Sequence, residues 1–450
     1  MPPDAIIVPS RRSTDGSDKL IGIATLSNPR IFLSAGEASG DHYGAGIIAE
    51  LRARLPLASF TGLGGTAMAD AGQERVVHAE DVAHMGFTEV LRHAPYIYAQ
   101  YRKLLASIQR NRPDVAILID FPEVNFRLAR HLKRLGVPVL WFVSPQLWAW
   151  KRGRLRLVRR FVDRMMVIFP FEAAFYRARG VDAEFVGHPL AALPLPAITR
   201  EDYAATHGLD PAKQWVALLP GSRQSEIHQN LPQMLQAAAN LNLDLNLEQK
   251  SSCQFLLPVA STIDLAWIKD EIAAHESAVN KRLTGFAVLP RIVLVDDARA
   301  ALFHARASVV ASGTATVQAL TIGKPFVVVY RVSALTFALA RRMILYPAEI
   351  PAEPDADGHV PIAMVNLIAG KRIVPELLNR RFTAANLIAA LRPLLDETQE
   401  RRAMIAALTE ARERLLPAPG KDPIRRVSDA VVELLQSTPI DAFRSASSSV

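Results

Sequence analysis

From Arg30 onward the apolar and polar positions follow one repeated phrase: a short β-branched run, a turn of small residues, then a stretch with helical period. Ile31–Ser34, Val115–Ile119, Val137–Val143 and Met165–Phe169 are apolar throughout, as strands buried on both faces of a parallel sheet are. After the second of them, apolar residues recur at Phe126, Leu128, Ala129, Leu132 and Leu135, and Gly136 offers a helix C-cap. A proline-rich stretch, His188 to Pro196, interrupts the phrase. It restarts with Trp215–Leu219, Phe255–Val259, Ile292–Val295, Ser308–Ala311 and Phe326–Tyr330. The pattern predicts an α/β chain in two halves joined by a semi-rigid linker, with ligands expected in the cleft between them. Residues 1–30 read as a loose N-terminal extension, 31–200 as the first half, 201–385 as the second, and 386–450 as C-terminal helices with a frayed end.

Composition narrows the function. The chain has 450 residues, half of them hydrophobic and 21% charged, which supports real cores and excludes a disordered chain. That length exceeds what one core fills, so two domains are expected. Its one cysteine, Cys253, cannot form an internal disulfide, which suits a reducing compartment. The net charge is +8, yet 14 Lys and Arg against 3 Asp and Glu between Tyr101 and Arg160 give that segment +11 and leave the rest at −3. The basic character is therefore local, unlike a chain coated for bulk nucleic-acid binding. Mean hydropathy is +0.13. Even so, the longest uncharged stretches, Ala307–Gly323 and Leu135–Trp150, carry polar residues or prolines and fall short of the roughly 20 apolar residues that a membrane span needs.

Candidate chemistry sits at strand-to-helix turns. The first strand runs into Ser34-Ala-Gly-Glu37-Ala-Ser39-Gly40-Asp41, where small residues let an anion approach helix amides; an ordinary tight turn capped by Asp41 reads equally well. Leu218-Leu-Pro-Gly221-Ser222-Arg223 adds a guanidinium beside such amides, which suits a leaving diphosphate, although Arg223 in a surface turn paired with Glu226 is the simpler alternative. Ser312-Gly313-Thr314 repeats the device, with Gln318 one turn on in reach of ribose hydroxyls and helix capping by Ser312 as the alternative. Asp120 closes the strand Val115–Ile119, where a carboxylate points into the crevice of an open sheet and can serve as general base; it and Glu123 also suit helix-start roles. Asp355-Ala356-Asp357 spells a metal-nucleotide pattern, but in a Pro/Gly loop with no strand before it, and the histidines lack ligand spacing. No metal is expected.

Two segments suggest contact with an anionic surface. Met85, Phe87, Val90, Leu91, Tyr96 and Ile97 form an apolar, tyrosine-bearing region, and Lys151, Arg152, Arg154 and Arg156 open a block of six cations in ten residues. If that block is helical, Leu155, Val158 and Val162 face inward and the cations outward. A solvated helix face is the plain alternative.

Taken in order, Ala35-Gly-Glu-Ala-Ser-Gly-Asp41, Met85-Gly-Phe-Thr-Glu-Val90, Ile119-Asp120, Val143-Ser-Pro145 with Trp148-Ala-Trp150, Phe169-Pro-Phe-Glu172, Gly187-His-Pro189, Leu218-to-Arg223, Ser312-Gly-Thr-Ala315 and Val365-Asn-Leu-Ile-Ala-Gly370 resemble the lipid-A-disaccharide synthases. The resemblance implies two Rossmann-like domains facing a cleft, the GT-B arrangement, with C-terminal helices that cross back to the first domain or exchange between subunits of a homodimer. It implies an inverting transfer of 2,3-diacylglucosamine from UDP to 2,3-diacylglucosamine 1-phosphate (lipid X). That transfer would need no cofactor and no nucleic-acid partner, on the cytoplasmic face of a Gram-negative inner membrane. Matched to the family's motifs, Asp120 would take the proton of the acceptor's 6-hydroxyl. Gly221, Ser222 and Arg223 would hold the departing UDP, Glu37, Ser39, Gly40 and Asp41 would line the cleft, and Asn366 would reach substrate. Two departures stand out: Gln318 where many members carry Glu, and the loop Ala352-Glu-Pro-Asp-Ala-Asp-Gly358 before Val360. A UDP-N-acetylglucosamine 2-epimerase shares the two-domain plan and is the second enzyme reading; a non-enzymatic basic module for membrane or nucleic acid is the third.

Overall fold

A computed structural model describes residues 28–83, 94–260, 262–282, 290–332, 346–350, 352–355, 358–417 and 421–437. Within them the chain builds two parallel sheets. The first contains β1 (Arg30–Ala35), β2 (Ser59–Gly64), β3 (Glu74–His78), β4 (Val115–Ile119), β5 (Val139–Phe142), β6 (Arg164–Val167) and β7 (Ala183–Phe185) in the order β3-β2-β1-β4-β5-β6-β7. The second contains β8 (Trp215–Leu219), β9 (Gln254–Pro258), β10 (Ile292–Val295), β11 (Ala307–Ala311), β12 (Phe326–Tyr330) and β13 (Glu376–Leu378) in the order β10-β9-β8-β11-β12-β13. Each is a doubly wound sheet whose order reverses once, between β1 and β4 and between β8 and β11. There the helices diverge to opposite faces and leave a crevice at the carboxyl ends of the strands.

The strands read from apolar runs lie where the pattern put them, because helices cover both faces: every residue of β4, β5 and β8 is buried. The first sheet also contains β2, β3 and β7, and the second β13, none of which the apolar runs announced. β2 carries two glycines, β3 has only two apolar residues, Val76 and Val77, and β7 and β13 are three residues long. Such strands take their pairing from the neighbour rather than from their own β propensity.

The proline stretch opens with a short helix, Pro189–Ala192, and the backbone N–H of His188 donates to the carbonyl of Leu415 at 2.8 Å. Beyond the second sheet come helices Ala384–Leu391, Gln399–Glu413 and Pro423–Ser437. The last returns to the first sheet of its own chain and packs on the helix Ala38–Arg54, where Ile424 lies against Gly46. Arg426 seals the contact with a bidentate pair to Glu184 in β7 at 2.6 and 2.7 Å, half-buried and therefore firmer than a surface bridge. Two further contacts join the first half to the segment between β12 and β13: Arg179 pairs with Glu349 at 2.9 Å, and the Trp148 ring meets Tyr346 with centroids 5.8 Å apart.

Candidate active site

At the first switch point the ends of β1 and β4 are locked to each other. Asn125, fully buried in the helix Pro122–Arg134, accepts the Ser34 hydroxyl at 2.7 Å. Its amide group donates to the carbonyls of Asp120 (2.7 Å), Ile119 (3.2 Å) and Ser34 (3.4 Å). Those bonds hold an unusual backbone: Asp120 and Phe121 both sit in the left-handed region, at φ 45° and 47°, as does Val143 at the end of β5, at φ 61°. Non-glycine residues held there mark a site whose surroundings over-determine the conformation. Gly36 contributes by having no side chain, since the Phe121 ring lies 2.4 Å from where its Cβ would be.

This framework fixes the Asp120 backbone at the carboxyl end of β4. Burial, and then the neighbouring negative charge of Glu37, push the Asp120 carboxyl up to about 7, against which the Phe121 amide pulls weakly down. Tyr43 is pushed up to about 12 by burial first and by the charge of Asp120 second. A carboxylate that titrates near neutrality in a strand-end crevice is matched to general-base work. Neither Asn125 nor Tyr43 was singled out from the sequence; Asn125 stood six residues beyond Ile119 without a pattern to mark it.

The other residues of the first turn divide. Glu37 is exposed at the start of the helix Ala38–Arg54, Ser39 is partly exposed, and Gly40 packs under Ala35 and Ile119. Asp41 departs from the expectation that it lines the cleft, and it does not cap its own helix either. Its buried carboxylate accepts the backbone N–H groups of Gly65, Ala67 and Met68 at 2.7, 2.9 and 3.1 Å, capping the short helix Thr66–Asp70. The orphan amides of that helix start, far away in sequence, win the charge. Glu123 is likewise engaged, in bonds to Arg154 (2.9 Å) and Lys151 (3.1 Å) that hold its carboxyl below the usual range.

In the second sheet the turns after β8 and β11 flank the switch point. Gly221, at φ 136°, could not carry a side chain, because Glu226 would lie 2.6 Å from its Cβ. The Ser222 amide donates to Glu226 at 3.1 Å, and Arg223, mostly exposed, lies 3.5 Å from the same carboxylate. Glu226 thus occupies the ground between amide and guanidinium that an anion would take. After β11, Gly313 is the N-cap residue of the helix Thr314–Ile322; no side chain caps it, and no atom comes within 4 Å of where a Cβ would sit. Ser312 therefore does not close that helix start, whose first amides face an open, exposed turn. Gln318, partly exposed, lies one turn on.

Asn366 also departs from its expected role. It is fully buried; its amide donates to Val374 (3.0 Å) and Glu376 (2.7 Å), and its oxygen accepts from Ile373 (2.8 Å) and Val374 (3.1 Å). The donors and acceptors of its side chain are taken up by the turn before β13 and by Glu376 at the start of that strand, so it shapes that turn. Asp355 is bound by Arg381 at 3.0 Å and by the His359 amide at 2.8 Å, while Asp357 lies outside the described residues. Among the described residues no group of three or more His, Cys, Asp or Glu could hold a metal ion.

Of the surface residues, Met85, Phe87, Val90 and Leu91 lie outside the described residues. Tyr96 and Ile97 stand in the first turn of the helix Ala94–Arg110, Tyr96 exposed and Ile97 half-buried. The basic block is helical from Leu155 to Phe161, with Val158 and Phe161 buried and Leu155 and Val162 half-buried. Lys151 and Arg154 are tied to Glu123, and Lys151 also sits over the exposed Trp150 ring at 4.2 Å, whereas Arg152 and Arg156 are exposed.

Solved structures share this architecture. A glycotransferase of kitacinnamycin superposes with a TM-score of 0.56, 15% identity and coverage of 90% of this chain and 99% of its own. A UDP-GlcNAc 2-epimerase from Neisseria meningitidis, bound to UDP-GlcNAc, gives 0.52, 12%, 91% and 100%. At such identities the likeness is one of fold. Two doubly wound sheets with turns of this kind at both switch points define the GT-B fold, which glycosyltransferases and epimerases share. The sequence model of the lipid-A-disaccharide synthetase family matches residues 31–416. A lipid-A-disaccharide synthase of Acidobacterium capsulatum is 53% identical over 413 residues, 91% of this chain and 97% of its own, and one of Koribacter versatilis is 43% identical over 388 residues, 86% and 93%. The chain belongs to the lipid-A-disaccharide synthase family and is a hexosyltransferase.

Proposed function

We propose that this chain transfers 2,3-diacylglucosamine from its UDP conjugate to the 6-hydroxyl of lipid X, giving the β-1,6 disaccharide 1-phosphate and UDP. The observation that carries the residue assignment is Asp120: half-buried at a strand-end switch point, with its carboxyl raised to about 7 by burial and by the charge of Glu37. As the acceptor oxygen attacks the anomeric carbon, Asp120 takes the hydroxyl proton. The bond from that carbon to the UDP oxygen breaks on the opposite face, so configuration inverts. The electron pair leaves with the diphosphate, whose charge the Ser222 amide, Arg223 and the open amides after Gly313 receive. Glu226, seated on the Ser222 amide and near Arg223, supports the reading of that turn as an anion cradle, since a carboxylate already uses it. Residues 31–200 would hold the acceptor and 201–385 the donor.

We place the enzyme peripherally on the cytoplasmic face of the inner membrane, with the exposed Tyr96, Trp150, Arg152 and Arg156 as its contact. No helix among the described residues is long and apolar enough to cross a membrane. Turnover of UDP-2,3-diacylglucosamine with lipid X by Asp120→Ala and Arg223→Ala proteins tests the assignment. Each should lose at least about 100-fold in kcat with the fold intact, the scale of a general base or of one transition-state donor. Full turnover by Asp120→Ala would remove Asp120 from its role.

A further inference from the structure

Cationic side chains far apart in sequence meet in a cavity that the transfer reaction does not use. Arg200, Lys213, Arg306, Lys324 and Arg401, with His304, line a cavity of about 330 Å³. Lys213 lies two residues before β8, Arg306 one before β11 and Lys324 two before β12. The cavity is therefore at the amino-terminal edge of the second sheet. The Arg223 and Gly313 turns are at the carboxyl edge, roughly 17 Å away along five-residue strands.

Three of these cations are held by the fold. Arg200 donates to the carbonyls of Lys213 (2.7 Å), His304 (2.8 Å) and Pro211 (3.1 Å), and its guanidinium lies 3.6 Å from the Trp215 ring centroid. Arg401 donates to the carbonyls of Leu394 (2.6 Å) and Arg306 (2.8 Å). Arg306 donates to the Leu395 carbonyl at 2.8 Å and pairs with Glu397, an exposed carboxylate that also lies 3.8 Å from Arg401. The two lysines are different. Lys213 has the Ser252 hydroxyl at 3.5 Å, and Lys324, half-buried, has neither hydrogen bond nor ion pair among the described residues. Burial, and then repulsion by Arg401, Arg306 and Arg200, depress the Lys324 ammonium below the usual range.

An unpaired ammonium kept beside three guanidinium groups opposes folding, and nothing in the packing of the strands requires it. A multiply charged anion would turn that repulsion into charge-assisted hydrogen bonds, and the cavity has room for one together with water. We propose that the cavity is a second anion site that takes a phosphate or diphosphate group, supplied either free in solution or by a lipid headgroup. It stands apart from the transfer reaction and does not rest on the assignment of Asp120 or Arg223.

The full-length protein would be titrated with sodium phosphate and sodium diphosphate at constant ionic strength, by calorimetry and by melting temperature, alongside Lys213→Met/Lys324→Met, Lys324→Met and Arg223→Ala proteins. Flotation with phosphatidylcholine vesicles, with and without phosphatidylglycerol, completes the set. The proposal expects the double variant to bind the anion at least about tenfold more weakly, the worth of one charge-assisted bond, while Arg223→Ala retains the site. It also expects Lys324→Met, free of anion, to melt no lower than the wild type, since the lysine has no partner to lose. Response to the free anions identifies a soluble ligand; a lysine-dependent response to phosphatidylglycerol vesicles alone identifies a headgroup. Equal binding of both anions and vesicles by wild type and double variant, or no binding by the wild type, would overturn the proposal.

Discussion

Replacing Asp120 by Asn keeps the shape of the side chain and an oxygen for the Phe121 amide while removing the charge that its surroundings resist. The folded protein holds this carboxyl at about 7 against an ordinary 3.8. Three units at about 1.4 kcal/mol each set a ceiling of about 4 kcal/mol on what ionising Asp120 costs the fold. The folded state binds the proton more tightly than the unfolded chain does, so unfolding releases it between about pH 4 and about pH 7. Stability from this group is thus full below about pH 4, declines as pH rises through that window, and is level above it. Asn does not ionise, so Asp120→Asn should be more stable than the wild type at about pH 8, by up to about 4 kcal/mol, with the gap narrowing toward pH 5. Turnover should move the other way, falling roughly 10²- to 10⁴-fold. Wild-type turnover should rise with pH and level off above about 7. Denaturant unfolding at the two pH values, with turnover on the same samples, decides it. A variant less stable at about pH 8, or wild-type turnover flat from about pH 5 to 8, would refute the reasoning.

Other perturbations reach the remaining parts of the site. Glu226→Gln removes the charge that occupies the Ser222 amide and should lower KM for the UDP-sugar several-fold with kcat nearly unchanged; a higher KM in steady-state assays would contradict the anion-cradle reading. Asn125→Ala unpairs the Ser34 hydroxyl and loosens the Asp120 backbone. It should cost about 1–3 kcal/mol in denaturant unfolding and reduce kcat far more than it alters KM. Binding to phosphatidylglycerol vesicles should weaken at least tenfold between about 0.05 and 0.5 M salt, and in Arg152→Glu/Arg156→Glu; salt-insensitive flotation would count against electrostatic docking.

Local signals in the sequence were enough for the parallel strands buried on both faces and for the turns between them. Val115–Ile119 and Trp215–Leu219 are long apolar runs, and the turns at Gly221 and Gly313 carry small residues in succession. Signals that depend on a distant partner were not legible. Asp41 stands in a turn that reads as a ligand site, yet its charge caps a helix more than twenty residues away. Asn366 belongs to a recognisable motif whose hydrogen bonds all return to Ile373, Val374 and Glu376. The count of charges along the chain found the run from Tyr101 to Arg160, where Lys151 and Arg154 turn out to be partly neutralised by Glu123. It missed the cavity of Arg200, Lys213, Arg306, Lys324 and Arg401, because those five are spread over 200 residues of near-neutral sequence and only the sheet brings them together.

The central claim is an inverting sugar transfer between two acylated glucosamines. Its most direct test incubates the purified protein with UDP-2,3-diacylglucosamine and lipid X in the presence of EDTA and identifies the products by NMR. The account predicts one UDP released for each β-1,6-linked disaccharide 1-phosphate. An α linkage, a free 2-epimerised sugar, or turnover abolished by the chelator would contradict it.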